Sequence, residues 1–179
     1  GMAAQLLQAG HVLVDSPRRA ELIVVNTCGF IEPARQEALA VLRQLGRSKR
    51  RSQLLIAAGC LAQRWGDELA SAAPAIDGLL GTRRWDEIND LLKELAAPGR
   101  RAGDRPMRLG DAPGLATEPP AERTTPGPSA YLKIADGCST PCAFCAIPLI
   151  KGPAHSRPAE QIVQEARRLM LASKNLLKP

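Results

Sequence analysis

The sequence predicts an α/β protein: a three-layer domain with a mostly parallel sheet, then a linker and the start of a second domain. Three observations predict it. Strand-like and helix-like runs alternate over residues 1–97, while residues 98–128 are rich in Pro, Gly, Arg and Asp with almost no apolar periodicity. A strand-like run, a cysteine-rich loop and a helical run then fill residues 129–179, which we expect to be a second domain cut short.

The order of the elements follows from the apolar pattern of residues 1–97. Met2–Ala9 is typical of the end of a helix, with Gly10 as its stop. The run Leu22-Ile23-Val24-Val25 is continuously apolar, as expected of a strand that is covered on both faces. The predicted strands are His11–Val14, Leu22–Asn26, Leu54–Ala58 and Ile76–Leu80, and the remaining predicted helices are Pro33–Leu45, Leu61–Ala72 and Trp85–Leu95.

Residues 129–179 begin the second domain with two predicted elements on either side of the cysteine-rich loop. Ala130–Ala135 is expected to be a strand. Pro158–Ser173 is expected to be a helix, because Ile162, Val163 and Ala166 recur at helical spacing. A strand, a loop and a helix in this order are the opening unit of a larger α/β domain.

Composition and charge limit the kinds of protein to consider. Apolar residues make up 45% of the chain, enough for a core, which must consist of Leu, Ile, Val and Ala because only five residues are aromatic. The net charge of +6 suits a nucleic-acid or ribosomal partner, but it is scattered apart from the predicted solvated turn at 47–51. We find no membrane-spanning run and no secretory signal, and so we expect a cytoplasmic protein without a membrane partner.

The five cysteines are grouped unevenly. Cys138, Cys142 and Cys145 fall within eight residues, whereas Cys28 and Cys60 stand alone. A secreted disulfide scaffold would have a shorter chain with cysteines spread more evenly. Clustered cysteines in a cytoplasmic protein indicate metal binding instead.

The C-x3-C-x2-C spacing of the loop favours an iron–sulfur cluster. Thiolates are soft ligands that suit iron–sulfur clusters and zinc. Three cysteines leave one iron of a 4Fe–4S cluster without a protein ligand, so that iron is open to a cofactor. The alternatives are a zinc site completed by His155 and unligated cysteines. Zinc motifs favour C-x2-C pairs and closer histidines, which makes zinc the weaker interpretation.

The residues around the loop resemble those of the radical S-adenosylmethionine (SAM) methylthiotransferases. The matching segments are Ala135-Asp136-Gly137-Cys138, Cys145-Ala146-Ile147-Pro148, Lys151-Gly152-Pro153 and Ser156-Arg157-Pro158, with Phe144 before the third cysteine. The resemblance implies that Cys138, Cys142 and Cys145 hold a 4Fe–4S cluster whose open iron chelates SAM, and that Phe144 lies in the cofactor site. It also implies a radical generated from SAM, and a partial TIM barrel of which residues 129–179 are the truncated start.

The isolated cysteines follow two predicted strands. Val25-Asn26-Thr27-Cys28 and Ala58-Gly59-Cys60 place each thiol at a strand's carboxyl end, where ligands gather in open α/β sheets. The alternative is that both cysteines are buried and pack as small hydrophobic side chains. The resemblance implies that Cys28 and Cys60 are ligands of a second 4Fe–4S cluster. Its third ligand normally precedes the helix that Met2–Ala9 completes, and is expected to be missing from this chain.

Two segments resemble the ribosomal-protein branch of that family (RimO type). They are Cys28-Gly29-Phe30-Ile31-Glu32 and Cys145-Ala146-Ile147-Pro148; the tRNA-modifying branch more often has Ser or Ala, and Val-Val-Pro, after these cysteines. The resemblance implies transfer of a methylthio group to the β-carbon of an aspartate in a small-subunit ribosomal protein, with a flavodoxin-type electron donor. The alternatives are methylthio transfer to adenosine in tRNA and a non-catalytic α/β fragment with a zinc-binding loop.

No side chain is predicted to act as a catalytic acid, base or nucleophile. Paired carboxylates and Ser/His/Asp sets are not evident in the sequence. We expect the truncated chain to show no turnover even if it binds a cluster.

Overall fold

A computed structural model describes residues 1–99, 101, 103–110 and 129–174, so most of the predicted linker lies outside the described residues. Its main sheet has four parallel strands in the order β1-β2-β3-β4: Leu22–Thr27, Leu54–Gly59, Gly78–Gly81 and Met107–Arg108. The α-helices are α1 Met2–Gln8, α2 Glu32–Ser48, α3 Cys60–Ala72, α4 Ile88–Leu95, α5 Ile147–Lys151 and α6 Ala159–Lys174. The predicted α/β class is confirmed.

The helices cover both faces of the sheet. On strand β2, Leu55 and Ala57 belong to one apolar cluster with α2 and α3, while Ile56 and Ala58 belong to another with α1 and α4. All four side chains are fully buried. Successive side chains of a strand point to opposite faces, so a strand between two helical layers has to be apolar throughout. The three-layer prediction is therefore confirmed.

The prediction of a first strand at His11–Val14 is wrong. These residues have no strand partner, and the Val12 side chain is 82% exposed. The chain that follows is instead anchored by the buried side chain of Gln53, whose Nε2 donates to the carbonyl oxygens of Pro17 at 2.8 Å and Ala20 at 2.5 Å. A short apolar run becomes a strand only where a neighbouring strand offers a hydrogen-bonding edge.

Strand β4 was not predicted, because Met107–Arg108 lies within the segment expected to be linker. It pairs in parallel with β3, with Leu79 opposite Met107. The preceding Arg105 anchors it: Nε donates to the carbonyl of Ile76 at 2.7 Å, Nη1 to that of Ala70 at 2.9 Å and Nη2 to that of Pro74 at 2.7 Å. One guanidinium thus joins this segment to the last turn of α3 and to the loop between α3 and β3.

The second part of the chain contains a short hairpin and a long helix. Of the predicted strand Ala130–Ala135, only Ala135 is in a strand: β5 is Ala135–Asp136, and it pairs antiparallel with β6, His155–Ser156. Helix α6 follows Pro158 directly, as predicted. The predicted helix Trp85–Leu95 consists of a 3-10 turn and then α4. None of the helices within the described ranges is long and apolar enough to cross a membrane.

Candidate metal and cofactor site

The β5–β6 hairpin closes the base of the cysteine loop. The Cys138 backbone N–H donates to the carbonyl of Gly152 at 3.1 Å, and the Ala154 N–H donates to the Ser139 hydroxyl at 3.0 Å. Gly137 has a φ of +75°, and a Cβ there would collide with the Pro153 carbonyl. The two sides of the base therefore lie too close together for a residue larger than glycine.

Asp136 organises the charges at this base. Its Oδ2 lies 3.0 Å from Nζ of Lys133 and 3.2 Å from Nζ of Lys151, and its Oδ1 accepts the Gly137 N–H at 2.9 Å. Burial raises the pKa of the Asp136 carboxyl, but the Lys133 hydrogen bond, the Lys151 charge and the Gly137 amide outweigh burial. The net pKa lies below its ordinary value, and the carboxylate stays charged between the two lysines.

Two of the three loop thiols accept hydrogen bonds. The Thr140 backbone N–H and hydroxyl donate to Cys138 and lower the pKa of its thiol. The Ile147 N–H donates to Sγ of Cys145 at 3.5 Å, while Cys142 is exposed. Donors directed at sulfur favour the thiolate, which is the form that binds metals.

The structure does not bring the three loop sulfurs together. Over the described ranges, no three His, Cys, Asp or Glu side chains form a group that could hold a metal ion. Cys142 is exposed and the Phe144 ring, predicted as a cofactor contact, is 91% exposed. The loop thus combines a fixed base with an open tip.

Cys28 and Cys60 occupy equivalent positions on neighbouring strands. Thr27, the last residue of β1, pairs with Gly59, the last residue of β2, and each cysteine is the next residue. Cys60 is partly buried and begins α3, whereas Cys28 is exposed. For Cys28, the alternative of a buried cysteine that packs as a small hydrophobic side chain is therefore wrong.

A cavity at the ends of the strands is also lined by Lys151, the last residue of α5. Helix α5 lies beside α3, and a Cβ placed on Gly152 would lie 3.0 Å from the Arg83 guanidinium. The cavity of about 200 Å³ is lined by Gly1, Met2, Asn26, Gly59, Thr82, Trp85 and Lys151. The sequence did not predict Lys151, Thr82 or Asn26 as site residues. Asn26 lies two residues before Cys28, Thr82 directly follows β3, and Lys151 ends α5.

A buried ion pair anchors α6 to the same region. Arg157 Nη1 lies 2.6 Å from Glu165 Oε2, with side chains only 2% and 4% exposed, and Nη1 also donates to the Lys133 carbonyl at 2.7 Å. Buried charges are tolerated when they are paired and hydrogen-bonded. Arg157 is thus a structural link between β6, α6 and the chain entering β5.

Comparison with known proteins agrees with the cysteine motifs. The family described as "Uncharacterized protein family UPF0004" matches residues 1–81. Relatives called ribosomal protein uS12 methylthiotransferase RimO from Herpetosiphon aurantiacus, Symbiobacterium thermophilum and Chloroflexus aurantiacus are 40%, 42% and 41% identical to this chain. These matches cover 96%, 94% and 95% of this chain, and 42%, 34% and 40% of the respective relatives.

The chain therefore spans less than half the length of these relatives, while nearly all of it is matched. The matched residues include both the α/β domain and the cysteine loop. In sequence, this chain is similar to the RimO-type methylthiotransferases over nearly all of its length.

Proposed function

We propose that the protein is a radical SAM methylthiotransferase that adds a methylthio group to the β-carbon of an aspartate in ribosomal protein uS12. The observation that carries this proposal is the identity of about 40% to relatives of that name, over 94–96% of this chain. The cysteine motifs favour the same function independently of those names.

The donor set of the loop suits a 4Fe–4S cluster. Cys138, Cys142 and Cys145 would hold it, since thiolates are the usual cluster ligands and the hydrogen bonds from Thr140 favour that form of Cys138. Because the tip is exposed, Cys142 can approach the other two sulfurs while the β5–β6 base stays closed. When bound, the cluster supplies the electron that cleaves SAM.

The other chain groups have supporting roles. Phe144 would lie against the bound SAM. The Asp136 carboxylate pairs with Lys133 and Lys151. These contacts hold the end of β5, where the cysteine loop begins.

Cys28 and Cys60 would bind a second 4Fe–4S cluster, as two thiols at one sheet edge. Within the described part of the chain no third His, Cys, Asp or Glu joins them in a metal-binding group. We further propose a flavodoxin-type electron donor and a cytoplasmic location, where both the donor and the ribosomal substrate would be found.

Anaerobic reconstitution with iron and sulfide tests the cluster. The protein should turn brown and retain iron. The cluster bound by the cysteine loop should account for about four iron atoms per chain. Replacing Cys138, Cys142 and Cys145 together by Ala should abolish that loop cluster. The matched Cys28→Ala, Cys60→Ala variant should keep it. Stoichiometric zinc without visible absorption, or unchanged iron in the triple variant, contradicts the proposal.

The transfer reaction is tested with the reconstituted full-length gene product, SAM and a reductant. Mass spectrometry should find the methylthio group on an aspartate of uS12. The control substrate is tRNA, in which adenosine should remain unmodified. Modification of tRNA with unmodified uS12 would contradict the ribosomal substrate.

A further inference from the structure

The loop that carries Cys28 rests directly on the backbone of Cys60. Gly29 is buried, and a Cβ placed on it would lie 2.8 Å from the Cys60 carbonyl oxygen and 2.9 Å from the Leu61 nitrogen and Cα. These neighbours are backbone atoms that cannot rotate away. Only glycine permits this approach, so the residue next to the first thiol is in contact with the residue that carries the second.

Arg64, on helix α3, adds a hydrogen bond to this contact between the Cys28 loop and Cys60. It lies four residues after Cys60 on α3, and its Nη1 donates to the Gly29 carbonyl at 3.2 Å. The Arg64 side chain therefore connects the segments that carry the two cysteines. It lies one helical turn after Cys60 on α3, and it binds the carbonyl of Gly29, the residue after Cys28.

The Arg64 guanidinium is itself held in place. Its Cζ lies 5.0 Å from the centroid of the Trp65 ring, and the Arg35 Cζ lies 5.1 Å from the same centroid. Trp65 leaves the helical conformation, with φ −133° and ψ 38°, so α3 is kinked at this residue. Cation–π contacts of this kind restrict an otherwise exposed arginine.

We infer that Arg64 is a positioning residue that clamps the Cys28 loop onto the first turn of α3 and keeps the two thiols adjacent. This inference deepens the proposed function, and its meaning for a second cluster rests on that function. The juxtaposition itself depends only on the contacts of Gly29, Arg64 and Trp65. Arg64 would act through the cysteines and would not touch a cluster or substrate.

Thiol cross-linking tests the clamp without iron. In a background with Cys138, Cys142 and Cys145 replaced by Ser, dibromobimane reports only on the pair Cys28 and Cys60. Arg64→Met should slow cross-linking about two- to fivefold, the factor that corresponds to one exposed cation–π or comparable polar contact. Arg64→Lys should restore part of the rate, because an ammonium can still donate to the Gly29 carbonyl.

Arg43→Met is the matched control. Arg43 is also an exposed arginine that donates to a carbonyl, that of Ala72 at 2.9 Å, but it lies away from the Cys28 loop. Its replacement should leave the cross-linking rate unchanged. Circular dichroism of each variant accompanies the measurement.

Three results would overturn the inference: a parent that does not cross-link, equal rates for the parent and Arg64→Met, or a fall in rate that coincides with loss of helical signal. Its failure is distinguishable from failure of the proposed function. Intact cross-linking combined with no iron bound at Cys28 and Cys60 would refute the second cluster and leave the clamp standing.

Discussion

Single side chains stabilise the base of the cysteine loop, and Asp136 makes the most contacts there. Its carboxylate accepts from two lysines and one backbone amide, and its pKa is lowered from 3.8. A carboxyl whose folded pKa lies below its unfolded pKa stabilises the fold above the unfolded value. That stabilisation is lost as the pH falls through the folded pKa.

Asp136→Asn should therefore lower the free energy of unfolding near neutral pH. The difference from the parent should persist down to about pH 4 and shrink below it, because the parent then becomes protonated as well. Urea unfolding at about pH 7, 5 and 3 measures the difference. Asp67→Asn, which removes an exposed carboxylate from α3, controls for the change in net charge. A difference that stays constant with pH would contradict this role of Asp136.

For single residues, the sequence identifies the candidate metal-binding cysteines but not the contacts that the side chains make in the fold. The spacing of Cys138, Cys142 and Cys145 is local, so it can be read directly from the chain. The pairing of Arg157 with Glu165 depends on how β6 meets α6, and no helical spacing indicates it. The exposure of Cys28 likewise depends on where the loop after β1 lies.

Among the elements, long amphipathic or continuously apolar runs were predictable. Helix α2 and strand β2 have the expected core faces because their burial repeats along many residues. Two-residue strands such as Met107–Arg108 and His155–Ser156 have no periodicity of their own. They exist because a partner edge is available, and that is a tertiary property.

Arg105 explains how so short a strand as β4 is retained. Its guanidinium donates to one carbonyl in the last turn of α3 and to two carbonyls of the loop that leads to β3. Arg105→Met should lower the free energy of unfolding by about 2–3 kcal/mol, because the carbonyls lose a charged donor. Thermal or urea unfolding measures this free energy. Arg101 is an exposed arginine nearby, and Arg101→Met should change the free energy of unfolding little. Equal effects of the two replacements would mean that Arg105 does not anchor β4.

For the molecule as a whole, the sequence indicates two parts but not that they touch. The predicted linker implied an α/β domain and a cysteine loop joined by an extended segment. In the structure α5 lies beside α3, and Lys151 lines the cavity at the ends of the strands. A docking contact between distant segments depends on complementary surfaces, which a single sequence does not reveal.

Ile150 tests whether this contact joins the two parts energetically. Its side chain is 1% exposed although α5 has only five residues, so the neighbouring structure must cover it. Ile150→Ala should lower the free energy of unfolding by about 2–4 kcal/mol. Hydrogen exchange should rise in α3 as well as in α5, because loss of the docking contact exposes both helices. Leu149→Ala removes a 72% exposed neighbour on the same helix and should alter neither quantity. Faster exchange confined to α5 would show that the cysteine loop and the α/β domain fold independently of each other.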